Sequence, residues 1–279
     1  MDCQALSLIP IIRTGRLDIE VIVCYVSGGS LDFWVCLTMK ITAAGLTYIG
    51  CGRSNNEDRF CIVPESCLYI VADGMGGCNG GEVASQMAVE AIKWYFSLPS
   101  LADHDDAARL SAAISYANQQ VYSAGKNNPL LHGMGTTIAS LLAEQDKVII
   151  CFVGDSRLYL HRDHQIRQLT QDHTWANQYV SQGILTEKEL KDHPFKHVLD
   201  RAVGTEEAVE VETLQQYPQS GDIFMLCSDG VSNPLEVDEM NTLFSKFGND
   251  IEELGAQIIS LVQRKEGQDN ATVVLVRYL

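Results

Sequence analysis

Three hydrophobic runs of this chain each stop at an aspartate. Leu68-Tyr-Ile-Val-Ala ends at Asp73, Val148-Ile-Ile-Cys-Phe-Val-Gly at Asp155, and Ile223-Phe-Met-Leu-Cys-Ser at Asp229. A fourth, Asp269, stands just before Thr272-Val-Val-Leu-Val. Short apolar runs rich in β-branched and aromatic residues read as buried strands. A carboxylate at the end of such a strand sits where core meets solvent, and several such ends can converge on one edge of a sandwich. Like charges gathered there are costly unless a positive charge sits among them. Oxygen ligands alone suit a hard divalent cation, Mg2+ or Mn2+. Asp73-Gly74 or Asp229-Gly230 taken singly is most simply a turn. The four aspartates together favour a metal centre, and a glycine such as Gly74 lets backbone approach a ligand closely.

The rest of the pattern sets the fold class. Residues 59–63 and 67–72 read as strands, and apolar residues at helical spacing follow from about Gly81 to Phe96 and from Ala107 to Ser123. Strand-like runs return at 136–142, 148–153, 157–161 and 166–169. A polar stretch, 173–207, carries helical pieces near 176–182 and 187–191. Strands at 209–214 and 222–227, helices at 236–247 and 250–264, and a last strand at 271–278 complete the order. Consecutive strands with short turns predict antiparallel pairing, and helices segregated from them predict an α+β fold. Residues 1–38 read differently, with short apolar runs and a Gly28-Gly29 break, so two regions are expected: an N-terminal extension, 1–38, outside the native fold or loosely attached to it, and one domain over 39–279.

Composition excludes several functions. Aspartate and glutamate number 36 against 20 lysine and arginine, a net charge of -16. Such a chain is a poor non-specific ligand for nucleic acid, whose phosphates are held by Lys and Arg. Charges interrupt the apolar N-terminal stretches well short of the ~20 residues a membrane span needs. The nine cysteines are odd in number and form no Cys-x-x-Cys pair, so free thiols and a cytoplasmic location are expected. His161 and His164 read as surface residues.

Arg53-Ser-Asn-Asn-Glu57-Asp58 places a guanidinium near two carboxylates. It is either an exposed charged turn or an arginine set to grip a dianionic phosphate with its planar fork.

Here the residues resemble a known family, the PPM or PP2C-type protein serine/threonine phosphatases in their bacterial form. Gly50 to Asp58 resembles the first family motif, and Val71-Ala-Asp73-Gly74-Met75-Gly76-Gly77 with Gly81-Glu82 the second. Gly133-Met-Gly-Thr-Thr137, Val153-Gly-Asp155-Ser-Arg157, Leu169-Thr-Gln-Asp172-His173, Arg201-Ala-Val-Gly204, Ser228-Asp229-Gly230 and Gln268-Asp269-Asn270-Ala-Thr272 follow in the family's order. The resemblance implies a four-layer αββα fold, a β-sandwich of two antiparallel sheets flanked by helix pairs. It implies two Mn2+ or Mg2+ ions bridged by Asp73, one completed by Asp229 and Asp269, the other by Glu57 and the Gly74 carbonyl. Asp155, with Asp229, matches a third-metal position. Asp58 and Asn270 are expected to support these ligands from behind, Arg53 to bind the substrate phosphate, and His173 to orient structure near the site. The implied reaction is attack on phosphoserine or phosphothreonine by a water shared between two cations. Implied partners are phosphorylated proteins and an opposing serine/threonine kinase, with the enzyme a monomer. Residues 173–207 match the family's flap, which is expected to shape substrate choice. A catalytically silent binding module and a regulator acting on one partner are the competing readings. Two departures stand out: Met75 and Cys78 occupy positions where many relatives carry a histidine. Cys78 reads equally as an inert turn residue or as a reactive thiol.

Overall fold

The computed structural model describes residues 12–24, 36–76, 80–98, 105–144, 146–191 and 193–279, with side chains described from Lys40 onward apart from residues 187 and 191. Cys78 lies outside the described residues. The elements are β1 (Ile12–Cys24), β2 (Cys36–Tyr48), β3 (Asp58–Val63), β4 (Leu68–Met75), α1 (Gly80–Phe96), α2 (Asp106–Asn127), β5 (Gly135–Thr136), β6 (Ile138–Ala143), β7 (Val148–Val153), β8 (Arg157–Arg162), β9 (Gln165–Gln168), α3 (Trp175–Ser181), α4 (Glu187–Lys191), β10 (Glu212–Gln216), β11 (Ile223–Cys227), α5 (Asp229–Ser232), α6 (Val237–Phe247), α7 (Ile251–Arg264) and β12 (Ala271–Tyr278).

The strands form two sheets. One runs β1-β2-β12-β11-β8-β9; the other runs β10-β7-β6-β4-β3, with β5 added to β4. Neighbours pair antiparallel throughout. Successive residues of a strand point to opposite faces, and here each face has its own core. In β7, Ile149, Cys151 and Val153 pack toward α1 and α2, whereas Val148, Ile150 and Phe152 pack between the sheets. In β11, Ile223, Met225 and Cys227 pack toward α6 and α7, and Phe224 and Leu226 pack between the sheets. The layers are therefore helix pair, sheet, sheet, helix pair. β6 and β7 are covered on both faces and buried from end to end, and the hydroxyl of Ser140 in β6 is satisfied by donating to Cys151 O (2.6 Å).

Helix ends are fixed locally. The Asp105 carboxylate accepts from Ala108 N–H to start α2, Asp250 accepts from Glu253 N–H to start α7, and Glu236 with Glu239 forms a capping box on α6.

Two readings need correction or completion. His161 is not a surface residue: it is buried on β8, its ring 5.1 Å from Phe244, because α6 covers that face of the sheet. His164 does lie in the exposed β8–β9 turn. Within residues 1–38, Ile12–Cys24 forms the outer strand of its sheet, paired with β2, which itself begins at Cys36.

Candidate metal centre

The aspartate-ending strands meet at one end of the sandwich. Asp73 continues the inter-sheet series Tyr69 and Val71 along β4, and Asp58 stands directly opposite it in the β3–β4 register. The Asp73 backbone is locked: its N–H donates to Thr137 Oγ1 (3.0 Å), and its carbonyl accepts from Thr137 N–H (2.8 Å) and Thr136 Oγ1 (2.9 Å). Asp58 is held across the sheets by Ser228, whose hydroxyl donates to Asp58 Oδ2 (2.7 Å) and accepts from Thr272 N–H (2.9 Å). Asp229 follows Ser228 as the first residue of α5. Asn270 ties the first motif to the last. Its amide nitrogen donates to Ile49 O (2.7 Å) and Asn55 O (2.9 Å), and its oxygen accepts from Glu57 N–H (2.8 Å).

Burial raises the pKa values of the carboxylates, and their neighbours' charges add to the rise. Burial holds Asp73 well above the ordinary range, with Asp58, Asp229, Asp155 and Asp269 adding to the rise. Burial lifts Asp58 too, against the hydrogen bond from Ser228, with Asp229 and Asp269 adding to the rise. Asp155 is pushed up to about 7 by burial and then by Asp229 and Asp172. Burial and Asp269 raise Asp229, partly offset by its hydrogen bond with Asp73. Glu57 is raised by burial, with Arg53 opposing and Asp269 adding to it. Asp58 Oδ1 is buried without a hydrogen-bond partner.

Gly74 meets its neighbours too closely for a side chain. A Cβ there would lie 2.0 Å from Gly81 O and 2.7 Å from Glu57 O, and a Cβ on Gly81 would lie 2.8 Å from Glu57 Oε2. The two glycines thus bring the Glu57 carboxylate against the backbone that follows Asp73. Arg53 stands at the rim: Nη2 lies 2.9 Å from each Asp269 oxygen, and its side chain is half exposed. The bond to Asp269 raises its pKa. Met75, at the end of β4, is half-buried beside Gly135.

Asp58, Asp73, Asp155, Asp229, Asp269, Glu57, Arg53, Gly74 and Asn270, the residues expected from the motifs, lie together in one region of the structure. Ser228 and Thr137, as hydroxyl supports, and Arg59 are further contributors that the motifs alone do not mark. Arg59 donates to Asn56 O (2.8 Å) and Asp58 O (2.7 Å) and pairs with Glu82 (2.7 Å), holding the first-motif loop against α1. A cavity of about 830 Å³ opens beside Asp155 and Asp229, between the 173–207 flap and α6. Val180 and Leu190 line it from the flap, and Leu235 and Met240 face them.

The sequence matches the family described as Protein phosphatase 2C over residues 52–268. The chain belongs to the protein phosphatase 2C family. The serine/threonine phosphatase stp of Listeria monocytogenes is 35% identical over 229 residues, spanning 80% of this chain and 90% of that protein. The S. agalactiae serine/threonine phosphatase structure is similar at a TM-score of 0.79 and 31% identity, covering 85% of this chain and 99% of that one. The catalytic domain of the serine/threonine protein phosphatase PstP, crystallised with two manganese ions, is similar at a TM-score of 0.75 and 32% identity over 86% and 98% of the two chains. These similarities bear out the resemblance read from the motifs, the two-sheet sandwich it implied and the enzyme class, protein serine/threonine phosphatase.

The residues present fit a divalent metal. The donors are all oxygen, and Asp73, Asp155 and Asp229 are raised by burial and by the charge of neighbouring carboxylates. A hard cation satisfies each of these conditions. Among the described residues, no three His, Cys, Asp or Glu side chains are already closed around a single point, so the fit rests on donor chemistry and charge.

Proposed function

We propose that this chain hydrolyses phosphoserine and phosphothreonine in proteins, using divalent cations held at the end of the sandwich. Asp73 would bridge two ions, Asp229 and Asp269 would complete one site, and Glu57 with the Gly74 carbonyl would serve the other. Asp155 would hold a third. Bound there, Mn2+ or Mg2+ would lower the pKa of a water between them and offset charge on the phosphoryl oxygens. Arg53 binds the substrate phosphate: it sits at the rim with Asp269, where a planar guanidinium can present paired N–H donors to an arriving dianion. Asp58 and Asn270 keep the ligand loops in register. Catalysis belongs to residues 39–279 acting as a monomer, with residues 1–38 dispensable for it. The physiological substrates are phosphoproteins made by a serine/threonine kinase.

The observation that carries this reading is the convergence of Asp58, Asp73, Asp155, Asp229 and Asp269 at one end of the sandwich, carboxylates raised by burial and then by one another's charge, which a divalent cation offsets. The test is hydrolysis of p-nitrophenyl phosphate and of a phosphoserine peptide with Mn2+ and with chelator, for the wild type and Asp229→Asn. Activity is expected only with metal, and the variant should lose both turnover and Mn2+ affinity by calorimetry. Turnover retained in Asp229→Asn with unchanged Mn2+ affinity would refute the assignment.

A further inference from the structure

The turn that carries Asp155 is held from behind by the residues that open the flap. Gly154 N–H donates to His173 Nδ1 (3.1 Å), and His173 N–H donates back to Gly154 O (3.0 Å). A ring nitrogen that accepts carries no proton, so the imidazole proton resides on Nε2. That nitrogen faces Glu212 Oε2 at 3.0 Å. The ring is buried and stacks on Phe152, with centroids 5.0 Å apart and planes inclined by 22°. One residue earlier, Asp172 receives Arg157 through Nε (3.0 and 3.1 Å) and Nη2 (2.7 Å). Ser156 Oγ lies 2.6 Å from Thr137 Oγ1. Gly154 itself has φ of +100°, and a Cβ there would come within 2.6 Å of Thr137 Cγ2. Residues 154, 156 and 157 are thus each fixed, with Asp155 between them.

We infer that His173 is a positioning residue for Asp155: its neutral imidazole, with the tautomer set by Glu212, clamps the Gly154 amide and so ties the first residue of the flap to this carboxylate. The inference rests on the proposed role of Asp155 as ligand of a third cation. Groups that orient a ligand from behind characteristically change metal affinity or activity by about 10- to 100-fold when removed. The clamp also gives the flap a mechanical route to the metal centre, because a shift of residue 173 must carry Gly154 with it or break two hydrogen bonds.

The test compares the full-length wild type with His173→Ala, His173→Asn and Asp155→Asn. Asparagine can place its carboxamide oxygen close to where Nδ1 stood and accept from Gly154 N–H; alanine cannot. In the metal-free protein, 15N spectra of labelled histidine should show His173 protonated on Nε2 alone. Calorimetric Mn2+ titration should show the weakest site lowered by about tenfold or more in both His173→Ala and Asp155→Asn. kcat should fall in parallel with little change in KM, the double variant should be no worse than Asp155→Asn, and His173→Asn should recover most of the loss. Wild-type Mn2+ binding in His173→Ala beside an impaired Asp155→Asn would overturn this inference alone. Wild-type Mn2+ binding in Asp155→Asn would remove the third-cation reading and this inference with it. A proton on Nδ1 would break the clamp directly.

Discussion

Removing a carboxylate from the metal centre should stabilise the protein when no metal is bound. Asp155 is the clearest case, because its carboxyl is raised from an ordinary 3.8 to about 7. Each pH unit of that rise corresponds to about 1.4 kcal/mol, so the ionised carboxylate costs the metal-free fold at most about 4 kcal/mol. Water at the mouth of the adjoining cavity screens part of this, and Asp155→Asn is expected to gain ~2 to 4 kcal/mol. In a chain of this size that is a rise in Tm of roughly 5 to 10 °C. The sign depends on pH. Below about pH 4 the carboxyl is protonated in both folded and unfolded chains, and wild type and variant should coincide. The wild type then loses stability as pH rises through about 7, and the full gap should be open at pH 8. Excess Mn2+ should close most of the gap, since binding at a hundredfold above Kd adds about 2.7 kcal/mol per site and the wild type offers the more complete site. Scanning calorimetry of both proteins at pH 4 and pH 8, in chelator and in Mn2+, measures all of this. An Asp155→Asn protein less stable than wild type in chelator at pH 8 would refute the view that an ionised Asp155, buried and beside Asp229, is costly to the metal-free fold.

Three further outcomes are expected. Met75→His should raise turnover of phosphoserine peptides more than of p-nitrophenyl phosphate, because protonating the leaving oxygen matters most for a poor leaving group; equal effects on both substrates would count against it. A chain beginning at Met39 should fold and keep full activity, because among the described residues it loses the outer strand β1 and the first three residues of β2 while residues 41–48 stay paired with β12; a large fall in Tm would instead place residues 1–38 among the stabilising contacts. His161→Gln should flatten the loss of stability on acidification. Burial and then His164 hold the His161 pKa below its usual 6.5, so the wild type is penalised as pH falls through about 6.5 and below; urea midpoints at pH 5 and pH 7.5 would reveal whether the two proteins differ only at the lower pH.

Strands buried on both faces were the most legible part of the sequence. Val148–Val153 was read with the bounds that β7 has, since six apolar residues in succession leave few alternatives. β1 was not legible: Arg13, Arg16, Asp18 and Glu20 interleave with its apolar residues, as suits an edge strand but also a loop. α5 escaped notice because four residues show no period. The carboxylates of the site were readable because strand ends mark them locally. Their partners were not, because Arg53 meets Asp269 across 216 residues and Asp58 meets Ser228 across 170. The inward turn of His161 depended on where α6 would settle, which nothing within β8 encodes.

The alternation of faces along β4 has a consequence for which lengths of chain this enzyme can tolerate. Tyr69 and Val71 face the seam between the sheets and Leu68, Ile70 and Ala72 face the helices, so Asp73 owes its orientation to a parity counted from Cys67. One residue inserted or deleted between Cys67 and Asp73 would swap the two sets, turning small Ala72 toward the seam and the carboxylate toward the underside of α1. The neighbouring β3 and β6 are bound to β4 along most of their length and cannot slide to compensate. Drift in length among descendants of this chain is therefore confined to the flap and other connections, and libraries that vary loop length there can reshape the cavity mouth while the strand segments ahead of each aspartate keep their count.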